Sequence, residues 1–140
     1  MTQITDIDEP VMILNSGQEA SPLETIVKCT MMKKANKAPA YAVIYNGLAE
    51  VARKHGYALA IHGSVVTDLD LIAIPWIKEA DDMETLVQAI IEHCGACGIN
   101  LDQYGNEQEP EEKPHGRIAW KLFMGAGGAV DLSVLPKKYT

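Results

Sequence analysis

The sequence predicts one α+β domain, with a mixed or antiparallel sheet and helices packed on one face. Three observations predict it. Apolar residues recur at three- and four-residue steps in three segments, the signature of amphipathic helices. Four other short segments read as strands. These strands fall into two pairs whose connections are short enough for tight antiparallel turns. A chain of 140 residues has material for a single core. The domain is expected to span residues 1–140, with a core at about 40–135 and an N-terminal helical extension over 1–39.

The first helix starts at Ser21-Pro22-Leu23-Glu24, where serine caps, proline opens the first turn and Glu24 completes a capping box. Before it, the run from Val11 to Leu14 is short enough for an edge strand. The second helix follows Pro39 with Ala40, Val43, Ile44, Gly47, Leu48, Val51 and Ala52 as its stripe, and Gly56 stops it. Strands at 58–62 and 68–75 come next, with five residues, 63–67, between them. The third helix opens on a box formed by Asp81 and Glu84 and carries Met83, Leu86, Val87, Ile90, Ile91 and Cys94. A short strand is expected around 99–101, then an exposed acidic loop over 105–114. Strands at 117–124 and 129–135 form a hairpin around Gly125-Ala126-Gly127-Gly128.

Charge and cysteine content narrow the function. The net charge of −7 lacks the cationic surplus with which a protein neutralises the phosphates of long nucleic acid, so DNA or RNA is not the expected partner. A nucleotide that brings its own magnesium is still compatible. The small basic groups at Lys33, Lys34 and Lys37 and at Lys137 and Lys138 read as a solvated helix end and a tail. Three cysteines argue against a disulfide framework, and Cys94-Gly95-Ala96-Cys97 lacks the second pair of a structural zinc site. No apolar run approaches the roughly 20 residues of a membrane span, and residues 1–6 carry no secretory leader pattern. The expected compartment is the cytoplasm.

The chemistry concentrates in His62-Gly63-Ser64-Val65-Val66-Thr67-Asp68-Leu69-Asp70-Leu71-Ile72. On a strand Asp68 and Asp70 share a face, opposite Leu69, Leu71 and Ala73. Two carboxylates side by side are unfavourable unless a positive charge lies between them. Magnesium binds through one or two carboxylates plus substrate phosphates. On the late strand, Val130, Leu132 and Val134 take one face and leave Asp131 and Ser133 on the other. If the two strands are neighbours, Asp131 completes a three-acid site. Ile118, Trp120, Leu122 and Met124 of the preceding strand face inward, with Arg117 and Lys121 opposite. Those two cations either reach a triphosphate or are ordinary surface charges. His62 and His115 are candidates for a base or phosphate contact, and Trp76 and Trp120 read as core or rim packing.

Gly63-Ser64, then Asp68-Leu69-Asp70-Leu71, then Asp131 resembles the signature of the DNA polymerase beta-type nucleotidyltransferase superfamily. The resemblance covers roughly residues 40–135, and is most similar to small nucleotidyltransferase-like proteins of bacterial viruses. It implies that Gly63 and Ser64 hold the terminal phosphates of a nucleoside triphosphate. It implies that Asp68, Asp70 and Asp131 hold Mg²⁺ or Mn²⁺ and are the catalytic acids, with Asp131 positioning or deprotonating the attacking hydroxyl. In that scheme two ions about 3.5–4 Å apart clamp the attacking and leaving oxygens. The implied reaction moves a nucleotidyl group to a hydroxyl on a small molecule or a protein. The alternative is a non-catalytic protein of the same fold that binds a nucleotide or a host protein. The resemblance departs at one point. Only Val65, Val66 and Thr67 separate Gly63-Ser64 from the first acid, which leaves little room for a helix N-terminus aimed at the phosphates.

Overall fold

A computed structural model describes residues 35–138. The expected helix from Ser21, the run at 11–14 and Cys29 lie outside the described residues. Within them two helices and six strands alternate as α1 (Ala38–Lys54), β1 (Tyr57–His62), β2 (Asp68–Pro75), α2 (Met83–Cys94), β3 (Gly98–Ile99), β4 (Glu111–Lys113), β5 (Arg117–Phe123) and β6 (Ala129–Val134). The fold is α+β, and its sheet is mixed.

β1 and β2 pair antiparallel, as their five-residue connection requires, and so do β5 and β6. The two hairpins join where β2 lies parallel to β6, giving the order β1-β2-β6-β5, with β3 and β4 both pairing with β5. Parallel neighbours need a crossover, and the chain between β2 and β6 supplies it through α2. Leu59, Leu69, Leu71, Ala73, Trp120, Leu122, Val130, Leu132 and Val134 occupy one face of the sheet. They form a single core with Leu48 and Ala52 of α1 and with Leu86, Val87 and Ile90 of α2.

Three expectations change. The buried face of α1 is built on Tyr41, Leu48 and Ala52, while Val43, expected inside, is 79% exposed. The stripe had been drawn without Tyr41 and Tyr45. Both rings pack inward because their hydroxyls find carbonyl partners there, Tyr41 Oη on Thr67 O and Tyr45 Oη on Leu59 O. The cap of α2 is Asp82 rather than Asp81, its carboxylate accepting from the Thr85 amide at 2.8 Å. Asp81 instead pairs with His55 at 2.7 Å. Within the loop expected over 105–114, Glu111–Lys113 adds a short strand to the edge of β5, with Glu111 and Lys113 in an ion pair. Trp120 is core as expected, but Trp76 is 76% exposed.

Tyr41 also ties the two hairpins together. Its hydroxyl donates to Thr67 O at 2.6 Å and accepts from the Ala129 amide at 3.1 Å, so one buried oxygen joins the residue before β2 to the first residue of β6. One turn earlier the Lys37 amide donates to Val66 O at 2.8 Å. Removing the tyrosine oxygen leaves the buried Ala129 amide without its partner and frees the Thr67 carbonyl. We therefore expect Tyr41→Phe to lower unfolding free energy by about 1–3 kcal/mol, measured by urea denaturation. A change within about 0.3 kcal/mol would show the bridge to be energetically idle.

Candidate active site

Side-chain alternation decides what the second face of the sheet carries. In-register residues of neighbouring strands point the same way. His62 of β1 aligns with Asp70 of β2, Asp70 with Asp131 of β6, and Asp131 with Lys121 of β5. Four chemically active side chains thus form one row across the sheet, with Leu59, Leu71, Leu132 and Trp120 buried on its reverse. Asp68 stands two residues before Asp70 on the same face, in register with Ala129. Arg117 and Lys121 lie on this same face, with the acids.

The row bounds a cleft of about 240 Å³ lined by His62, Asp70, Lys113, Arg117, Asp131 and Ser133. Arg117 Nη1 donates to the buried Ser133 hydroxyl at 3.0 Å, which anchors the guanidinium on the floor. Asp68 lies outside this lining and is engaged by Lys121, whose Nζ is 3.3 Å from Asp68 Oδ2. Lys113 could not be singled out in the sequence, because its place depends on the unexpected pairing of β4 with β5. His115 is exposed in a 3₁₀ turn and is not part of the cleft lining. A larger cavity of about 350 Å³ beside Tyr45 and Trp76 holds none of the acids.

The connection over 63–67 has an unusual backbone. Gly63 takes φ +75°, which favours glycine, and a Cβ built there would meet Asp70 Oδ2 and push that carboxylate aside. Val65 takes φ +53°, a strained region for a β-branched residue, costing about 1–3 kcal/mol. Partial packing of Val65 on the core and the bonds from Lys37 and Tyr41 to the next two residues hold the loop. Ser64 Oγ accepts from the Val66 amide at 3.4 Å, an internal turn contact.

Burial raises the Asp70 carboxyl above its ordinary value, and the charge of Asp131 pushes the same way, as does Asp68 more weakly. His62 and Lys121 oppose the rise without cancelling it. Among the described residues, no three His, Cys, Asp or Glu side chains stand close enough to hold an ion by themselves. Cys94 and Cys97 are unbridged, and burial pushes the Cys94 thiol up, as expected of a packed structural cysteine. No described helix is long and apolar enough to cross a membrane. The sequence matches no protein-family model, and none of the curated proteins searched matches it.

A carboxyl with a raised folded-state pKa keeps its proton where the unfolded chain has lost it. Wild-type stability therefore falls as pH rises from the unfolded pKa through the raised one, and the cost is complete above it. Asp70→Asn removes that cost. In chelator-treated buffer we expect the variant to melt higher than wild type at pH 7, with the gap closing on acidification through that window. Equal melting temperatures from pH 4 to pH 8 would show that Asp70 carries no electrostatic burden.

Proposed function

We propose that the protein is a nucleotidyltransferase of the DNA polymerase beta type. It transfers a nucleotidyl group from a nucleoside triphosphate to a hydroxyl on a small molecule or a protein, with Mg²⁺ or Mn²⁺ as cofactor. One observation carries this reading: Asp70 and Asp131 are in register on adjacent parallel strands, with Asp68 on the same face. Paired carboxylate oxygens suit a hard divalent ion, which takes its remaining ligands from water and phosphate. Asp70 and Asp131 would hold the ion. When bound, it would supply charge neutralisation at the α-phosphate and a more acidic attacking hydroxyl.

The chain's own residues have separable tasks. Asp131 accepts the proton of the acceptor hydroxyl as the acceptor oxygen bonds to the α-phosphorus. The bond from that phosphorus to the bridging oxygen breaks, and pyrophosphate leaves. Arg117 and Lys113, both lining the cleft, present cations to the departing phosphates. Gly63 stands against the Asp70 carboxylate, but neither it nor Ser64 lines the cleft.

One observation favours a second reading, a protein of this fold that binds nucleotide or a host protein without turnover. The loop over 63–67 spends the Ser64 hydroxyl on its own backbone and points no helix N-terminus at the cleft.

Three measurements test the proposal. Mn²⁺ or Mg²⁺ should raise the melting temperature by mass action, and Asp70→Asn with Asp131→Asn should abolish the rise. Incubating triphosphates labelled at the α-phosphate with Mn²⁺ and cell lysate should move label onto a protein or metabolite with wild type. Asp131→Asn alone should bind nucleotide but transfer none. Calorimetric silence with millimolar non-hydrolysable triphosphate and Mg²⁺ would defeat the enzyme. Binding heat without transfer of label would favour the second reading.

A further inference from the structure

The acid row already holds a cation of its own. Lys121 lies on β5 and Asp68 on β2, with β6 between them, so their ion pair crosses a whole strand. It can do so because the β6 residue in register with Asp68 is Ala129, which is too small to obstruct it and is itself buried. The same row ends at Phe123, and Lys121 Nζ lies 5.8 Å from the centre of that ring. The ammonium therefore sits along the strip Asp68-Ala129-Phe123, next to the row that contains Asp70 and Asp131.

The lysine backbone is pinned. Its amide donates to Asn100 Oδ1 at 2.7 Å, and its carbonyl accepts from the Asn100 amide at 2.8 Å. Asn100 takes φ +49°, a conformation that asparagine tolerates better than most residues. Only the four-carbon stem is free to swing. The ion pair at its tip is weakly held, because Lys121 is 42% and Asp68 34% exposed and water screens such pairs. A doubly charged ion beside Asp70 and Asp131 would repel the ammonium and offer Asp68 a stronger partner.

We infer that Lys121 is the resident counter-cation of the acid row, that its ammonium competes with a divalent ion for Asp68, and that ion binding releases Lys121 toward the cleft. The inference rests on the proposal that Asp70 and Asp131 take such an ion. It reassigns Lys121 in the resting protein, from a group waiting for phosphate to one occupied by Asp68. It also explains why no three-donor group is assembled among the described residues: the third acid is already paired.

Calorimetric titration with Mn²⁺ alone, without nucleotide, tests this on the full chain. Lys121→Met keeps the stem and removes the charge, and should bind Mn²⁺ about two- to fivefold more tightly, the scale on which a half-exposed pair competes. Lys121→Gln is the second variant should the methionine protein not fold, and Lys121→Arg should stay near wild type. In an Asp68→Asn background the larger part of the Lys121→Met gain should disappear, since a double-mutant cycle isolates the pair. Wild-type binding that Lys121→Met leaves unchanged overturns the inference while sparing the site. A gain of the same size with and without Asp68 also overturns it, because the lysine then acts only through its general field. Absence of Mn²⁺ binding in every variant removes the metal site and the inference together.

Discussion

Parallel pairing of β2 with β6 is the constraint on which the rest of this domain depends. Leu69 and Leu71 on one strand, and Val130, Leu132 and Val134 on the other, are fully buried under the helices. At about 25 cal/mol per Å² of apolar surface, each such side chain contributes roughly 1.5–3 kcal/mol. A slip of one residue in either strand would turn its apolar set away from the core. Burial therefore sets the register, and the register sets Asp70 beside Asp131. The acids do not stabilise this pairing. Their mutual repulsion and partial burial act against it, as the raised Asp70 carboxyl shows, and the apolar reverse of the same residue rows outweighs them.

Holding that register at its open end is the work of α1. Strands β2 and β6 begin side by side, where a parallel pair has no turn to join its ends. Tyr41 supplies the missing link through one hydroxyl, and Lys37 fastens the preceding loop through its amide. The strained Val65 backbone is tolerated between these two anchors. This arrangement places Gly63 directly against Asp70. A loop so tightly tied has little freedom to wrap a ligand; under the proposed function, anion recognition would fall to β4 and β5.

Charge around the cleft follows from the same sheet order. Cations come from β4 and β5 on one side, as Lys113, Arg117 and Lys121, and His62 comes from β1 on the other. The acids lie on the two strands between them. An acidic chain thus presents locally alternating charge around the cleft.

Much of this could be read directly. Apolar periodicity located α1, α2 and the strands 68–75 and 129–134, because burial on one side imposes a period on the chain itself. That period also placed Asp68 with Asp70 on one face and Asp131 with Ser133 on another, since alternation is a local property. What no local property could supply was which strands are neighbours. The meeting of Asp70 with Asp131, the engagement of Asp68 by Lys121 across an intervening strand, and the arrival of Lys113 through β4 all depend on long-range pairing. Tyr41 shows the same division. Its helical position was legible, but its two hydrogen-bond partners lie 26 and 88 residues away and are brought together by collapse of the core. The residue types and their faces were therefore determined by the sequence alone. Their distances, and so the charge each one meets, were decided only when the two hairpins closed side by side over the buried leucines and valines.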